Sequence, residues 1–278
     1  MGDPELGARG RPIGHVSGLT LSGLCRTIFG SEGGSWMSGG IVAVTSLALE
    51  ARIALGSGVS VICSQGSYLA AALELAVERG VSGIISFGIA GGLAPSLKAG
   101  QWIAAAAIRT GQRLFPTDRV WTRCLLERLP GAVHADILGM DSPVAEPSEK
   151  RLLHARTGAA AVDTESHIAA RIAAAYQVPF VACRAIIDAA DRPLPPAALI
   201  GLRPDGTADI VAVFQSVVQQ PSQLPALVRT AFDAGIARAA LHRGRRMLGA
   251  GLGFPHPRPE EDACAELHLS VRLDHALT

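Results

Sequence analysis

Short, continuously apolar runs alternate along the chain with longer segments whose apolar residues recur every three or four positions. Residues 133–138 read as a strand, and 41–47, 59–64, 84–87, 102–108 and 179–187 are mainly apolar runs of strand length. Their lack of polar alternation predicts strands covered on both faces. Residues 67–79 place Leu69, Leu73, Ala76 and Val77 on one helical face and Glu74 and Glu78 on the other, and 168–176 align Ile168, Ile172 and Ala175. Both are expected as helices laid over those strands. A helix over 117–129 is expected to open on a Thr cap, and Asp209 and Ser222 are candidate caps for two last helices, the longer reaching about Leu248. The run 84–87 leads into Gly88-Ile89-Ala90-Gly91-Gly92, which is expected as a turn, so poor in side chains that something approaches its backbone closely. Strands separated by helices imply a parallel or mixed sheet with helices on both sides.

The ends depart from this rhythm. Residues 1–36 are rich in Gly, Ser and Arg and are expected as a disordered extension, or as the product of an upstream start, with no secretory signal. From residue 250 a proline-rich and then acidic stretch is expected as a tail, leaving 37–249 as a single domain. Composition narrows the function classes. The 25 basic and 24 acidic residues leave a net charge of +1, and aromatics are 4% of the chain. Neither a field for a polyanion nor a stacking platform for single strands is present, so no nucleic-acid partner is expected. The basic residues are almost all Arg, Lys98 and Lys150 being the exceptions, and Arg243, Arg245 and Arg246 are expected as a solvated helix C-terminus complementing its dipole. Five cysteines without metal-type spacing predict reduced thiols in the cytoplasm.

Three acidic residues fall at strand ends, where a doubly covered sheet exposes its binding edge: Glu50, Glu165 and Asp188. Each also has a purely structural reading, as a surface residue opening a short helix, a helix N-terminal acid and a turn cap respectively. A dinucleotide site is not expected, because the glycine segment lacks GxGxxG spacing; a serine hydrolase is not expected, because GxSxG is absent. The eight histidines are dispersed, so no metal site is expected.

Three segments together change the picture: Gly88-Ile89-Ala90-Gly91-Gly92-Leu93-Ala94-Pro95, Ala161-Val162-Asp163-Thr164-Glu165-Ser166, and Val178 to Asp191 with Arg184-Ala185-Ile186-Ile187-Asp188 at its centre. In order and spacing they resemble the purine nucleoside phosphorylase and methylthioadenosine/S-adenosylhomocysteine nucleosidase superfamily over roughly 41–248. Asp141-Ser142-Pro143-Val144-Ala145, the run from Val162 to His167 and Arg192-Pro193-Leu194-Pro195-Pro196 resemble more narrowly its hopanoid-associated branch, which acts on adenosylhopane. The resemblance implies one α/β three-layer domain around a mixed, partly barrel-like sheet. It implies an enzyme cleaving an N-glycosidic bond, with Asp188 protonating the purine, Glu165 binding the ribose hydroxyls and Glu50 activating water. Gly88, Ile89, Ala90, Gly91 and Thr164 would lie along the sugar or an anion, and the Val144 main chain along the adenine edge.

An Arg two residues before the first glycine and a Ser after it help bind phosphate in the phosphorylases; here those positions are Ser86 and Ile89. Hydrolysis is therefore expected over phosphorolysis, with no cofactor and inorganic phosphate the one co-substrate to be weighed. The residue before the acid, usually Ser in the nucleosidases, is Ile187. Leu194, Ala197, Ala198, Leu199, Ile200 and Leu202 either pack in the core or line the pocket mouth for a lipid group on the nucleoside. The implied partners are a lipid-bearing nucleoside, a transient contact with the inner membrane surface and further copies of the chain.

Overall fold

The computed structural model describes residues 28–29, 39–200 and 210–255. Among the described residues nine strands are β1 (Ile28–Phe29), β2 (Ile41–Thr45), β3 (Val59–Cys63), β4 (Gly83–Gly92), β5 (Trp102–Thr110), β6 (Arg113–Pro116), β7 (Val133–Gly139), β8 (Ala161–Asp163) and β9 (Phe180–Asp188). Between them run helices α1 (Ala48–Ala54), α2 (Gly66–Glu78), α3 (Arg119–Arg128), α4 (Pro147–Thr157) and α5 (Ser166–Tyr176), followed by α6 (Pro196–Ile200), α7 (Ile210–Gln219) and α8 (Leu224–Leu248). The strands lie in the order β1-β3-β2-β4-β8-β7-β5-β6, and β9 pairs with both β4 and β5, which closes β4, β8, β7, β5 and β9 into a five-stranded ring. Pairing is mixed: β9 is parallel to β4 and antiparallel to β5. The fold is thus the expected mixed, barrel-like α/β domain.

Period-two alternation explains the three layers. Val42, Val44, Ile84 and Ile186 point into one cluster with Leu69 and Leu73 of α2 and Ile168 and Ile172 of α5. Ile41, Ala43, Ile85 and Val181 point the other way, onto Ala51 of α1, Trp121 and Leu125 of α3 and Leu241 of α8. Among the described residues no helix is long and apolar enough to cross a membrane.

Several expectations are corrected. The glycine segment 88–92 is not a turn: β4 runs extended through Gly92, pairing Gly88 with Arg184 and Gly91 with Asp188 on one side, and Gly91 with Val162 of β8 on the other. Small residues there admit strands on both sides together with the side chains of the site. Helix α3 opens on Asp118, whose carboxylate accepts from Trp121 N at 2.8 Å, while the Thr117 hydroxyl donates to Ala105 O at 2.7 Å. Ser222 caps nothing, because α8 follows a 3-10 turn over Pro221–Gln223 and has no side-chain cap; Asp209 lies outside the described residues. Arg245 is not simply solvated. It donates to Ala54 O at 3.0 Å and Gly249 O at 2.6 Å, tying together the C-terminal ends of α1 and α8.

The packed body also runs past 249: Leu252 is buried and its carbonyl accepts from Trp121 Nε1 at 3.1 Å, and Phe254 stacks edge-on against Trp121. Within 1–36, Ile28–Phe29 pair antiparallel with β3; the rest of that stretch, and 256–278, lie outside the described residues.

Candidate active site

Glu50 sits in the first turn of α1, just past the C-terminal end of β2, and only 1% of it is exposed. Burial of Ala51 and Ile53 draws α1 onto the sheet and carries the carboxylate in with it. The carboxylate is received by main-chain donors: Ser46 N at 3.0 Å and Leu47 N at 2.9 Å to Oε2, and Ile89 N of β4 at 2.7 Å to Oε1. The reading of Glu50 as a surface residue is therefore overturned. Gly88 makes this possible, since a Cβ there would lie 2.4 Å from Glu50 Oε1 and 2.8 Å from an Arg184 guanidinium nitrogen. The space beside Gly88 is filled by this chain's own charged groups.

Arg184, on β9, is fully buried and joins the elements around it. Its Nε lies 2.8 Å from Asp163 Oδ2, an ion pair without hydrogen-bond alignment, and its terminal nitrogens donate to Glu165 Oε2 at 3.1 Å, to Ser86 Oγ and to Ile89 O at 3.4 Å. Glu165 is the N-cap residue of α5 directly after β8, and the Thr164 hydroxyl donates to its Oε1. Burial pushes Glu165 up to about 7, against the pull of Arg184, and the neighbouring carboxylates of Asp163 and Glu50 push the same way. The Ser166 hydroxyl bonds Asp163 and Ser86, closing the network. Three buried carboxylates thus share one buried guanidinium.

Asp188 ends β9, four residues after Arg184; a register shift at Ala90/Gly91 sets it opposite Gly91 of β4, whereas Arg184 lies opposite Gly88. The backbone of Ala90 and Gly91 spans that interval on β4; a Cβ on Gly91 would sit 3.5 Å from Asp188 Oδ1. Asp188 is 3% exposed, and its Oδ2 is held by the ammonium of Lys150, from α4, which is itself fully buried. Burial raises the pKa of the Asp188 carboxyl, Lys150 opposes the rise, and Asp233 of α8 adds to it.

The structure thus gathers Glu50, Glu165, Thr164, Gly88 and Ile89 around Arg184, and sets Asp188 apart as a second ion pair at the far side of Ala90 and Gly91. The Val144 side chain packs against Leu93, Leu138 and Val162, beside the strand ends. His167 Nε2 lies 3.1 Å from Asp141 Oδ1, and Leu194 N donates to Ala145 O at 3.0 Å, so the separate segments 141–145, 162–167 and 192–196 meet here. Ala197 is core; the side chains of Leu199, Ile200 and Leu202 lie outside the described residues. A groove of about 350 Å³ lined by Phe115, Thr117, Asp118 and Gln177 lies at the opposite end of β9. Sequence reasoning assigned no role to Arg184, Asp163 or Lys150. Arg184 and Asp163 stand inside recognised segments, and Lys150 is one of two lysines in an arginine-rich chain, which was the available signal.

Comparison with known proteins agrees with this fold. The family model of the phosphorylase superfamily matches residues 51–232, more than half of the chain. No curated protein sequence matches. Among solved structures, the 5'-methylthioadenosine/S-adenosylhomocysteine nucleosidase of Helicobacter pylori is similar at 14% identity and TM-score 0.56, covering 77% of this chain and 97% of its own. The futalosine hydrolase of the same organism has 13% identity and TM-score 0.55, covering 78% and 98%. The nucleosidase of Colwellia psychrerythraea, in complex with adenine, has 19% identity and TM-score 0.51, covering 68% and 97%.

Proposed function

The chain belongs to the phosphorylase superfamily, and from that membership we propose that it hydrolyses the N-glycosidic bond of an adenine nucleoside, releasing the base. One observation carries the choice of water over phosphate. The donors that an anion would use are already committed: Ile89 N, Ser46 N and Leu47 N to Glu50, and Arg184 to Asp163 and Glu165. A phosphate entering here would meet three carboxylates and one paired cation, a repulsive site. Water carries no such penalty.

In this reading Glu50 orients and deprotonates the attacking water. Glu165 accepts the ribose hydroxyls and opposes positive charge growing on the ring, and Asp188 protonates the purine as the bond breaks. Ile89, Ala90 and Gly91 lie along the sugar, Gly88 makes room for Glu50 and Arg184, and Thr164 holds one oxygen of Glu165. Two carboxyls in different surroundings then take opposite roles, one ionised and one protonated. The activity against pH is expected to rise through about 7 as Glu165 ionises, and to fall at higher pH as Asp188 loses its proton. A profile flat between pH 6 and 8 would remove Glu165 from the ionised role.

For the substrate we favour adenosylhopane. The meeting of 141–145, 162–167 and 192–196 supports this reading, as do Val228 and Phe232, 61% and 70% exposed on the helix whose Asp233 approaches Arg192. A hydrophobic group on the 5' side of the nucleoside would have apolar surface to rest on, with transient membrane-surface contact and self-association as companions of the same reading. Methylthioadenosine is the soluble alternative. Purified protein is to be given each nucleoside with and without phosphate, in H2¹⁸O, and assayed for adenine. Adenine release independent of phosphate with ¹⁸O in the sugar is expected. Strict phosphate dependence would overturn hydrolysis, and faster turnover of methylthioadenosine would overturn the lipid substrate.

A further inference from the structure

Lys150 is buried completely, and each of its three N–H donors has an acceptor: Asp188 Oδ2, Arg192 O at 2.7 Å and Ala189 O at 3.3 Å. Two of these acceptors lie in the turn that follows Asp188, so one ammonium fixes both the carboxyl and the segment carrying it. Among the described residues no hydrogen-bond donor reaches Asp188 Oδ1, and the neighbouring Gly91 carries no side chain to cover it. The pair therefore offers one held oxygen and one open oxygen. Stability alone does not account for it, because a buried ion pair is usually matched or bettered by apolar residues of similar volume.

We propose that Lys150 is a positioning residue for the proton donor: it holds Oδ2 of Asp188 so that Oδ1 faces the purine, and its charge stabilises the carboxylate left after the proton is given up. The inference rests on the nucleosidase reading above. In the step, the C1'–N9 electron pair passes to the purine, the Asp188 Oδ1–H bond breaks and a purine N–H bond forms. Water bonds to C1' and surrenders its proton to Glu50, and Lys150 remains an ammonium throughout. The other charged group acting on Asp188 is Asp233 of α8, which itself lies 4.0 Å from Arg192 of the following turn. Asp233 disfavours the carboxylate, which leaves Lys150 as the direct support for it.

The test compares wild type, Lys150→Met and Lys150→Arg in adenine release across pH. Lys150→Met is expected to lower kcat by on the order of tenfold or more and to move the alkaline limb upward by about one pH unit, since the carboxyl becomes a weaker acid; Lys150→Arg is expected to keep the limb near that of wild type. A merely structural tie would lower kcat or Tm without moving the limb, so an unmoved limb in active Lys150→Met overturns the inference alone. A wild-type chain that releases no adenine from any nucleoside overturns the nucleosidase reading, and this inference with it. If Lys150→Met does not fold, lysine-selective ¹³Cε NMR decides. The chain has two lysines, Lys98 being exposed, and Asp188→Asn is expected to shift the Lys150 signal and leave that of Lys98. No shift at Lys150 would overturn the pairing.

Discussion

Asp188→Asn is expected to lower kcat for adenine release by ~10²–10⁴-fold, the usual worth of a positioned acid. Asparagine keeps the shape and can still accept from Lys150, but its amide supplies no proton to a departing purine. KM is expected to change little, because in the proposed reading the sugar would be gripped by the Glu165 side of the site and not by Asp188. A stability cost accompanies the kinetic one. Where the pH is high enough to ionise Asp188, the Lys150 ammonium, buried at that carboxylate and two carbonyls, loses in the variant its only charged partner among these, and removing one member of a buried pair costs about 3–5 kcal/mol. Steady-state kinetics well below the melting temperature separate the two effects. Retention of kcat within tenfold would remove Asp188 from the acid role.

Asp188, Glu165 and Glu50 could be placed at strand ends from sequence because local periodicity locates strands well, but only the family resemblance gave them expected roles. The conformation of 88–92 could not. Glycines there read as a turn, yet they are extended because Arg184 and Glu50 need the volume that a Cβ would occupy, a requirement set by residues dozens of positions away. Lys150 was invisible for a related reason. It lies on α4, whose first turn opens with Pro147 and which buries only Lys150 along its length, so no amphipathic pattern marks the helix or turns that side chain inward. Its burial is decided by a carboxyl on β9 and two carbonyls beyond it. The same holds for the domain end: nothing in Gly249-Ala250-Gly251 announces that Leu252 will close over Trp121. Strands and carboxylates were legible; the cations that neutralise them were not, because ion-pair partners come from tertiary structure.

Arg184→Met is expected to be the most destabilising single change at the site, and the loss should depend on pH in a definite direction. Methionine fills much of the volume but leaves Asp163, Glu165 and Glu50, all buried, without the cation they surround. An uncompensated buried charge costs about 3–5 kcal/mol, which for a domain of this size lowers Tm by on the order of 10 °C. Glu165 already titrates near 7 with Arg184 present, and Arg184 holds it down; without the guanidinium it rises further. An acid whose folded pKa lies above its unfolded value costs stability once pH exceeds the unfolded value, and the cost is complete only above the folded one. The gap in Tm between Arg184→Met and wild type is therefore expected to be wide at pH 8.5 and to narrow toward pH 5.5, as Glu165 takes up its proton in the folded variant. Adenine release at neutral pH should fall with it, because a protonated Glu165 opposes the charge on the ribose less well. Thermal melts of both proteins across this range check the claim. An equal loss at every pH would mean that Arg184 does not hold the Glu165 carboxyl down, and the predicted coupling between the two would be overturned.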